Sequence, residues 1–297
     1  MGILKSDIEL ICKQKKITKG LFKGKTLVIG QQSIYANEFE CKKIILKHNI
    51  KFTDNFKHEK KTNIQHFINE NADNINSSFF FTLLGSNNVD HLDVSKYENA
   101  NIILDLNNKV PNKYKNKFNN IVDFGTIEHV YNTPNLLFNY INMLKKNGFL
   151  VISTRSSNSI DHGFFSFSPT FFHDFFPING FKILNTYLLE RSPYYPEKNK
   201  NEKIYKYTKT YLENPIVSSK TIDLIIFMKK INNTKNIKTP LQYYYKKLFK
   251  IKKIEKKKSY DFKKFIKIII SYLPFFVQRI IFLKIRSKYL LKIKLDN

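Results

Sequence analysis

The sequence predicts an α/β protein built on a doubly wound, mainly parallel sheet, and three observations carry that prediction. Short apolar runs alternate with longer stretches of helical spacing across residues 25–230. Several of those runs end at Gly30, Asp93, Asp105, Asp123 or Thr154, so each reads as a bounded strand. Two further apolar runs come late, on either side of a long polar loop. Strand and helix taken in turn build sheets covered by helices on both faces.

Each element follows from its residues. Residues 26–30 (TLVIG) form a buried strand stopped by Gly30, and residues 38–48 read as the helix after it. Residues 50–78 are polar and Asn-rich without a clear period, and read as a helix-containing insertion. Residues 79–84 end a helix at Gly85. The runs 88–92, 101–104, 120–124 and 149–154 each have the length and apolar content of a parallel strand buried on both faces. Between the last two, Leu136, Leu137, Tyr140, Ile141 and Leu144 recur at helical spacing over residues 134–146, ending at Asn147-Gly148. Residues 181–190 and 221–229 read as two strands forming a terminal antiparallel hairpin on the sheet edge, joined by a tyrosine-rich loop over 191–219. The expected division is a domain over residues 1–231 and a Lys-rich helical extension over 232–297.

Charge separates those two parts. The chain of 297 residues carries 51 Lys+Arg against 24 Asp+Glu. Residues 229–297 hold 21 of the cations and three of the acids, a net of +18, which leaves +9 for residues 1–228. Only four of the cations are arginine, the residue whose fork reads bases and clamps phosphates, so a nucleic-acid partner is disfavoured. The most apolar part of the extension, residues 268–277, is about half the ~20 residues a bilayer-spanning helix needs and contains Pro274. Two readings of the extension stay open: helices packed on the domain, or an amphipathic segment on an anionic membrane surface. Cys12 and Cys41 form neither a metal-binding nor a disulfide pattern, and no long apolar leader is present, so a cytoplasmic, at most membrane-peripheral, location is expected.

In doubly wound sheets ligands bind at the carboxyl ends of the strands. Gly30 could let the backbone turn tightly toward a ligand, with Gln31 and Ser33 following it. Asp93 could accept the two hydroxyls of a ribose, and Asp105 could accept an adenine amino group. Asp123, Phe124 and Gly125 close another strand, and Glu128-His129 open the next segment.

The segments Leu92-Asp-Val-Ser-Lys-Tyr-Glu-Asn-Ala100, Asp105-Leu-Asn, Gly125-Thr-Ile-Glu-His-Val130 and His162-Gly-Phe-Phe-Ser-Phe-Ser-Pro169, with Asn179-Gly-Phe181, together resemble class I S-adenosylmethionine-dependent methyltransferases, closest to an uncharacterised bacterial subgroup of small-molecule methyltransferase-like proteins. The resemblance spans residues 25–230. It implies a Rossmann-like, seven-stranded sheet whose last strand is antiparallel, and S-adenosyl-L-methionine as cofactor. It places Gly30, Gln31 and Ser33 at the methionine end, Asp93 at the ribose, Asp105 and Leu106 at the adenine, and Asp123, Phe124 and Gly125 near the sulfonium. The departure from the family lies after Gly30, where Gln31-Gln32-Ser33 replace further glycines.

The activity so implied is methyl transfer to an oxygen or nitrogen of a small metabolite or glycan precursor. His129 and His162 are the candidate catalytic bases, with His173 a weaker third. Two alternatives are a degenerate methyltransferase-like binding module and a peripheral membrane or nucleic-acid adaptor driven by the extension. Some quinone-pathway relatives bind a divalent metal through an acid three residues before the Glu of Glu-His-Val. Here that position is Gly125, so no metal is expected. Walker, GxSxG and HExxH patterns are absent from the sequence. The aromatic run from Phe164 to Phe176 either packs over the sheet or stacks on an acceptor ring or sugar.

Overall fold

A computed structural model describes residues 2–52, 74–96, 99–192, 202–208, 218–234, 236–246, 269–286 and 290–293. The chain runs α1 (Lys5–Ile17), β1 (Gly24–Ile29), β2 (Ser33–Asn37), α2 (Glu38–Lys47), β3 (Asn74–Asn76), α3 (Ser77–Leu83), β4 (Ser86–Asp93), β5 (Ile102–Ile103), β6 (Phe118–Phe124), α4 (Thr133–Met143), β7 (Leu144–Ser157), α5 (Pro169–Ile178), β8 (Phe181–Arg191), β9 (Lys203–Tyr207), β10 (Thr221–Lys230), α6 (Phe275–Arg286) and β11 (Leu290–Ile293). A 3₁₀ turn at Ile127–His129 follows β6.

Nine strands form one sheet in the order β11-β9-β8-β10-β7-β6-β1-β4-β5. Pairing is parallel from β5 through β4, β1 and β6 to β7, and β10 runs antiparallel to both its neighbours, β7 and β8. The expected α/β sheet with a late antiparallel strand is therefore present, extended at one edge by β9 and β11. Two expectations change. The late hairpin is not terminal on the edge: β10 lies between β7 and β8, where both its edges are hydrogen-bonded and its run Leu224–Met228, apolar on both faces, sits inside the sheet with packing above and below. The segment 191–219 is not all loop, since Lys203–Tyr207 pairs with β8 as β9.

The direction reversal fixes the useful end of the sheet. From β1 the chain moves outward through β4 to β5, then returns to the other side of β1 as β6 and β7. The carboxyl ends of β1 and β6 thus flank the switch point, where loops diverge and leave room for a ligand.

Alternation along the strands divides the core between the two faces. Val28, Val122, Val151, Ile225 and Phe227 join Ile8, Ile11, Phe79 and Phe80 of the α1–α3 side. Leu27, Ile29, Ile121, Leu150, Ile152, Leu224 and Ile226 face Leu136, Tyr140, Phe172 and Phe176 of α4 and α5. Each fully buried side chain of this size contributes about 1.5–3 kcal/mol. Helix ends are set locally: Asn37 and Asn76 accept the backbone N–H groups of Glu40 and Phe79, and Pro134 and Pro169 open α4 and α5. Lys230 closes the far end of α4, its buried Nζ donating to the carbonyls of Ile141 and Leu144.

Of the expected insertion, residues 53–73 lie outside the described residues, and its end supplies β3, which pairs with β2. In the extension, Lys238 is held at the end of α5 by Asn179, and β11 pairs with β9. The extension therefore supplies a strand as well as the helix α6.

Candidate functional site

β1 ends in a tight turn at Gly30, whose φ of +68° is one that side-chain-bearing residues rarely adopt. Its N–H donates to the Leu92 carbonyl at 2.8 Å, which ties the turn to the end of β4. A Cβ at Gly30 would lie 3.0 Å from Thr126 Oγ1, 3.4 Å from Gln32 Nε2 and 3.9 Å from Asp93 Oδ2. Residues from the ends of β1, β4 and β6 thus converge on this turn. The Ile29 carbonyl accepts from both Thr126 Oγ1 and Gln32 Nε2, so side chains stand where further glycines would have left open backbone. Gln32 Oε1 and Ser33 Oγ are buried beside the turn without hydrogen-bond partners. Such atoms are uncommon in folded chains and fit a site that completes itself with a polar ligand.

Asp93 is half-buried and its Oδ1 accepts the Ser95 N–H at 3.1 Å. Asp105 is exposed, with its carboxylate held by Asn107 and Asn108. Leu106 is buried, and its carbonyl accepts from Asn135 and Asn139 of α4. Gln31 is half-buried in the same turn as Gly30.

The residues closing β6 are arranged differently. Asp123 is fully buried, accepting the Thr126 N–H at 2.7 Å and the Tyr140 hydroxyl at 2.7 Å. Burial, with the nearby Glu128 charge, pushes its carboxyl up to about 7. Both oxygens therefore serve to shape the turn. Phe124 packs into the core on the α1–α3 side, and Gly125 has a φ of +97°. Near a ligand, Phe124 and Gly125 would offer backbone.

That turn delivers Glu128 and His129. Glu128 is fully buried at the top of the sheet, and the Thr154 hydroxyl of β7 donates to its Oε2 at 2.7 Å. Burial raises its carboxyl above the usual range. His129 is exposed, and His162 brings its ring to 5.2 Å from the His129 ring. Burial, then the Arg155 charge, lowers His162 to about 4, and burial also lowers His129. Both rings therefore favour the neutral form more than a free imidazole does. Gly163 makes this approach possible: a Cβ there would stand 2.9 Å from the Glu128 carbonyl oxygen. Tyr131, Phe164 and Phe165 form an aromatic rim beside the pair, Tyr131 and Phe164 meeting edge to face at 5.8 Å.

The structure thus assembles two groups around the turn after β6: Gly30, Gln32, Asp93 and Thr126, then Glu128, His129 and His162. Of the other sequence candidates, Asp105 and Leu106 are held against the start of α4. His173 lies apart, its Nε2 2.9 Å from Thr186 Oγ1 and its ring against Tyr207. Sequence reading missed Gln32, Thr126 and Gly163 as site residues. The Gln-for-Gly pattern after Gly30 was the available signal for Gln32, whereas Thr126 and Gly163 carry none without the fold.

No family model matches the chain, and no curated protein matches it. Similar solved structures include the N-methyltransferase NodS from Bradyrhizobium japonicum WM9, 10% identical, with 76% of this chain and 96% of that one covered and a TM-score of 0.37. A SAM-dependent methyltransferase from Archaeoglobus fulgidus is 12% identical over 75% of this chain and 94% of its own, with a TM-score of 0.37. At these identities and scores the likeness bears on neither cofactor nor substrate, which have to be read from the site itself.

Proposed function

We propose that this protein is a class I methyltransferase that moves a methyl group from S-adenosyl-L-methionine to an oxygen or nitrogen of a small metabolite or glycan precursor. The observation that carries the reading is the convergence of Gly30, Asp93 and Thr126 at the switch point of a sheet with this strand order. The residues present fit the cofactor: a left-handed glycine turn, a half-buried carboxylate beside it, and the unpaired Ser33 Oγ and Gln32 Oε1. When bound, the cofactor supplies a methyl group already activated on a sulfonium.

The chain's own residues bind and orient. Asp93 accepts the ribose hydroxyls, Gly30, Gln31 and Ser33 line the methionine end, and Asp105 and Leu106 border the adenine. Asp123, Phe124 and Gly125 hold the wall near the methyl group, Asp123 through its bond to Tyr140. Tyr131 and Phe164 offer an aromatic surface to the acceptor, and neutral His129 or His162 can take its proton, a role worth roughly 10²–10⁴-fold. Alignment of acceptor and methyl group supplies the larger share of the rate.

Calorimetric titration with S-adenosylhomocysteine tests the reading. Wild type should bind saturably, and Asp93→Ala should weaken binding about tenfold or more, ~1.4 kcal/mol, with unchanged melting temperature. A folded wild type that binds neither S-adenosylhomocysteine nor S-adenosylmethionine would overturn it.

We extend the proposal to the C-terminal region as a peripheral contact with anionic membrane. Ile269, Tyr272, Phe275, Phe276 and Ile280 are exposed apolar side chains within the part of the chain that carries the net charge of +18.

A further inference from the structure

We propose that Glu128, His129 and His162 form a binding site for one divalent first-row transition-metal ion. One ligand atom from each residue lies within 4.8 Å of the other two. Glu128 is fully buried, and only its Oε2 is satisfied, by the Thr154 hydroxyl. Its Oε1 has no hydrogen-bond partner, and neither has His162 Nε2, which stands 3.7 Å away. That separation is too long for a hydrogen bond. It is close to the roughly 3.4 Å that separates two ligands each about 2.1 Å from a tetrahedral ion. Two unpaired buried atoms facing one another are costly unless something sits between them.

The clamp that makes the site is built from both sides. The Phe165 N–H donates to the Glu128 carbonyl at 3.3 Å, and Gly163 lets the 162–165 segment lie against the Glu128–His129 backbone. A Cβ at Gly163 would also crowd His129 Nδ1 at 3.2 Å. Thr154 fixes the carboxylate from behind, as outer-shell hydrogen bonds orient metal ligands. The neighbouring Arg155 cation is engaged by Asp223 at 2.6 Å.

Two imidazoles and one carboxylate favour Zn²⁺ and its neighbours over Mg²⁺ or Ca²⁺, which prefer oxygen donors. Three protein ligands leave at least one position open. An acceptor oxygen taken there would be activated by the ion in place of a free imidazole. That consequence alone rests on the methyl-transfer reading; ion binding does not.

The test is titration of chelator-treated, full-length protein with Co²⁺, followed by visible absorption, and with Zn²⁺ against a chromophoric chelator, both without cofactor. Wild type should take up one equivalent with a Co²⁺ spectrum of low coordination number. Thr154→Val should weaken binding about 10–100-fold, and Glu128→Gln or His162→Ala at least as much. Glu128→Gln keeps the bond from Thr154, and should it fail to fold, His162→Ala on the half-exposed segment decides. A folded wild type that takes up no stoichiometric ion, or binding that survives His162→Ala, would overturn the proposal. Protein that binds the ion but not S-adenosylhomocysteine would sink the methyltransferase reading and keep the metal site. The converse result would remove the metal site alone.

Discussion

Arg191 shows how a single residue can organise a region without touching the candidate site. Its guanidinium is buried and reaches Asp7 at 2.5 Å, Glu202 at 2.5 Å and Asp223 at 2.9 Å, so it pins α1 and the segment before β9 to β8 and β10. Arg155 holds the other Asp223 oxygen. Three carboxylates share two guanidinium groups, and burial, opposed by Arg191, pushes the Asp7 carboxyl up to about 6. Arg191→Met should therefore cost about 3–5 kcal/mol, because it leaves buried carboxylates without their cation. Urea unfolding at pH 7 checks this: the midpoint should fall at unchanged slope, and a loss below 1 kcal/mol would refute the pinning role. None of this was legible in the sequence, since Arg191 and Asp7 are 184 residues apart. Glu128-His129 was legible because adjacent polar residues after a strand form a local pattern. Their meeting with His162 was not, because it depends on how the loop after β7 folds back over the sheet.

At the scale of elements, β4 carries a group that makes stability depend on pH. His91 is buried on β4 with its Nε2 2.9 Å from Ser77 Oγ at the start of α3, and burial lowers it to about 4 from an ordinary 6.5. The folded state thus favours neutral His91, so its contribution is fully present above pH 6.5. As pH falls toward 4 the unfolded chain binds the proton first, and each pH unit removes about 1.4 kcal/mol. Asp7 acts with the opposite sign, its raised carboxyl favouring the folded state more as pH falls from about 6. Comparing wild type with His91→Gln isolates the histidine. The difference in their unfolding free energies should shrink by ~3 kcal/mol between pH 7 and 4, and a constant difference would reject the assignment. Strands such as β1, β6 and β10 were legible from their apolar runs. By contrast, α1 was missed because Lys5–Ile17 mixes buried Asp7 and Gln14 into its inner face, where periodicity expects apolar side chains. β9 was missed because its burial comes from pairing with β8, which a tyrosine-rich local sequence does not announce.

Over the whole molecule, the order of strands and the distribution of charge answer to different forces. Local sequence decides whether a strand forms, whereas the position of β10 between β7 and β8 follows from long-range pairing along both its edges. Charge need not be evenly placed for such a sheet to fold, and here residues 229–297 hold a net of +18. No helix among the described residues is long and apolar enough to cross a membrane. On the proposed membrane contact, the exposed aromatic side chains of Tyr272, Phe275 and Phe276 would enter the surface in part, and lysines brought to it would add about 1 kcal/mol each against anionic lipid. This predicts that the full chain sediments with phosphatidylserine-containing vesicles and not with neutral phosphatidylcholine vesicles. The electrostatic part should fade as salt shortens the Debye length from ~10 Å at 0.1 M to ~3 Å at 1 M. Replacing Phe275 and Phe276 together by Ser should weaken binding at every salt concentration, because apolar insertion is not screened. Equal sedimentation of this variant and wild type would mean that charge alone holds the protein, and binding to neutral vesicles would mean that charge does not steer it.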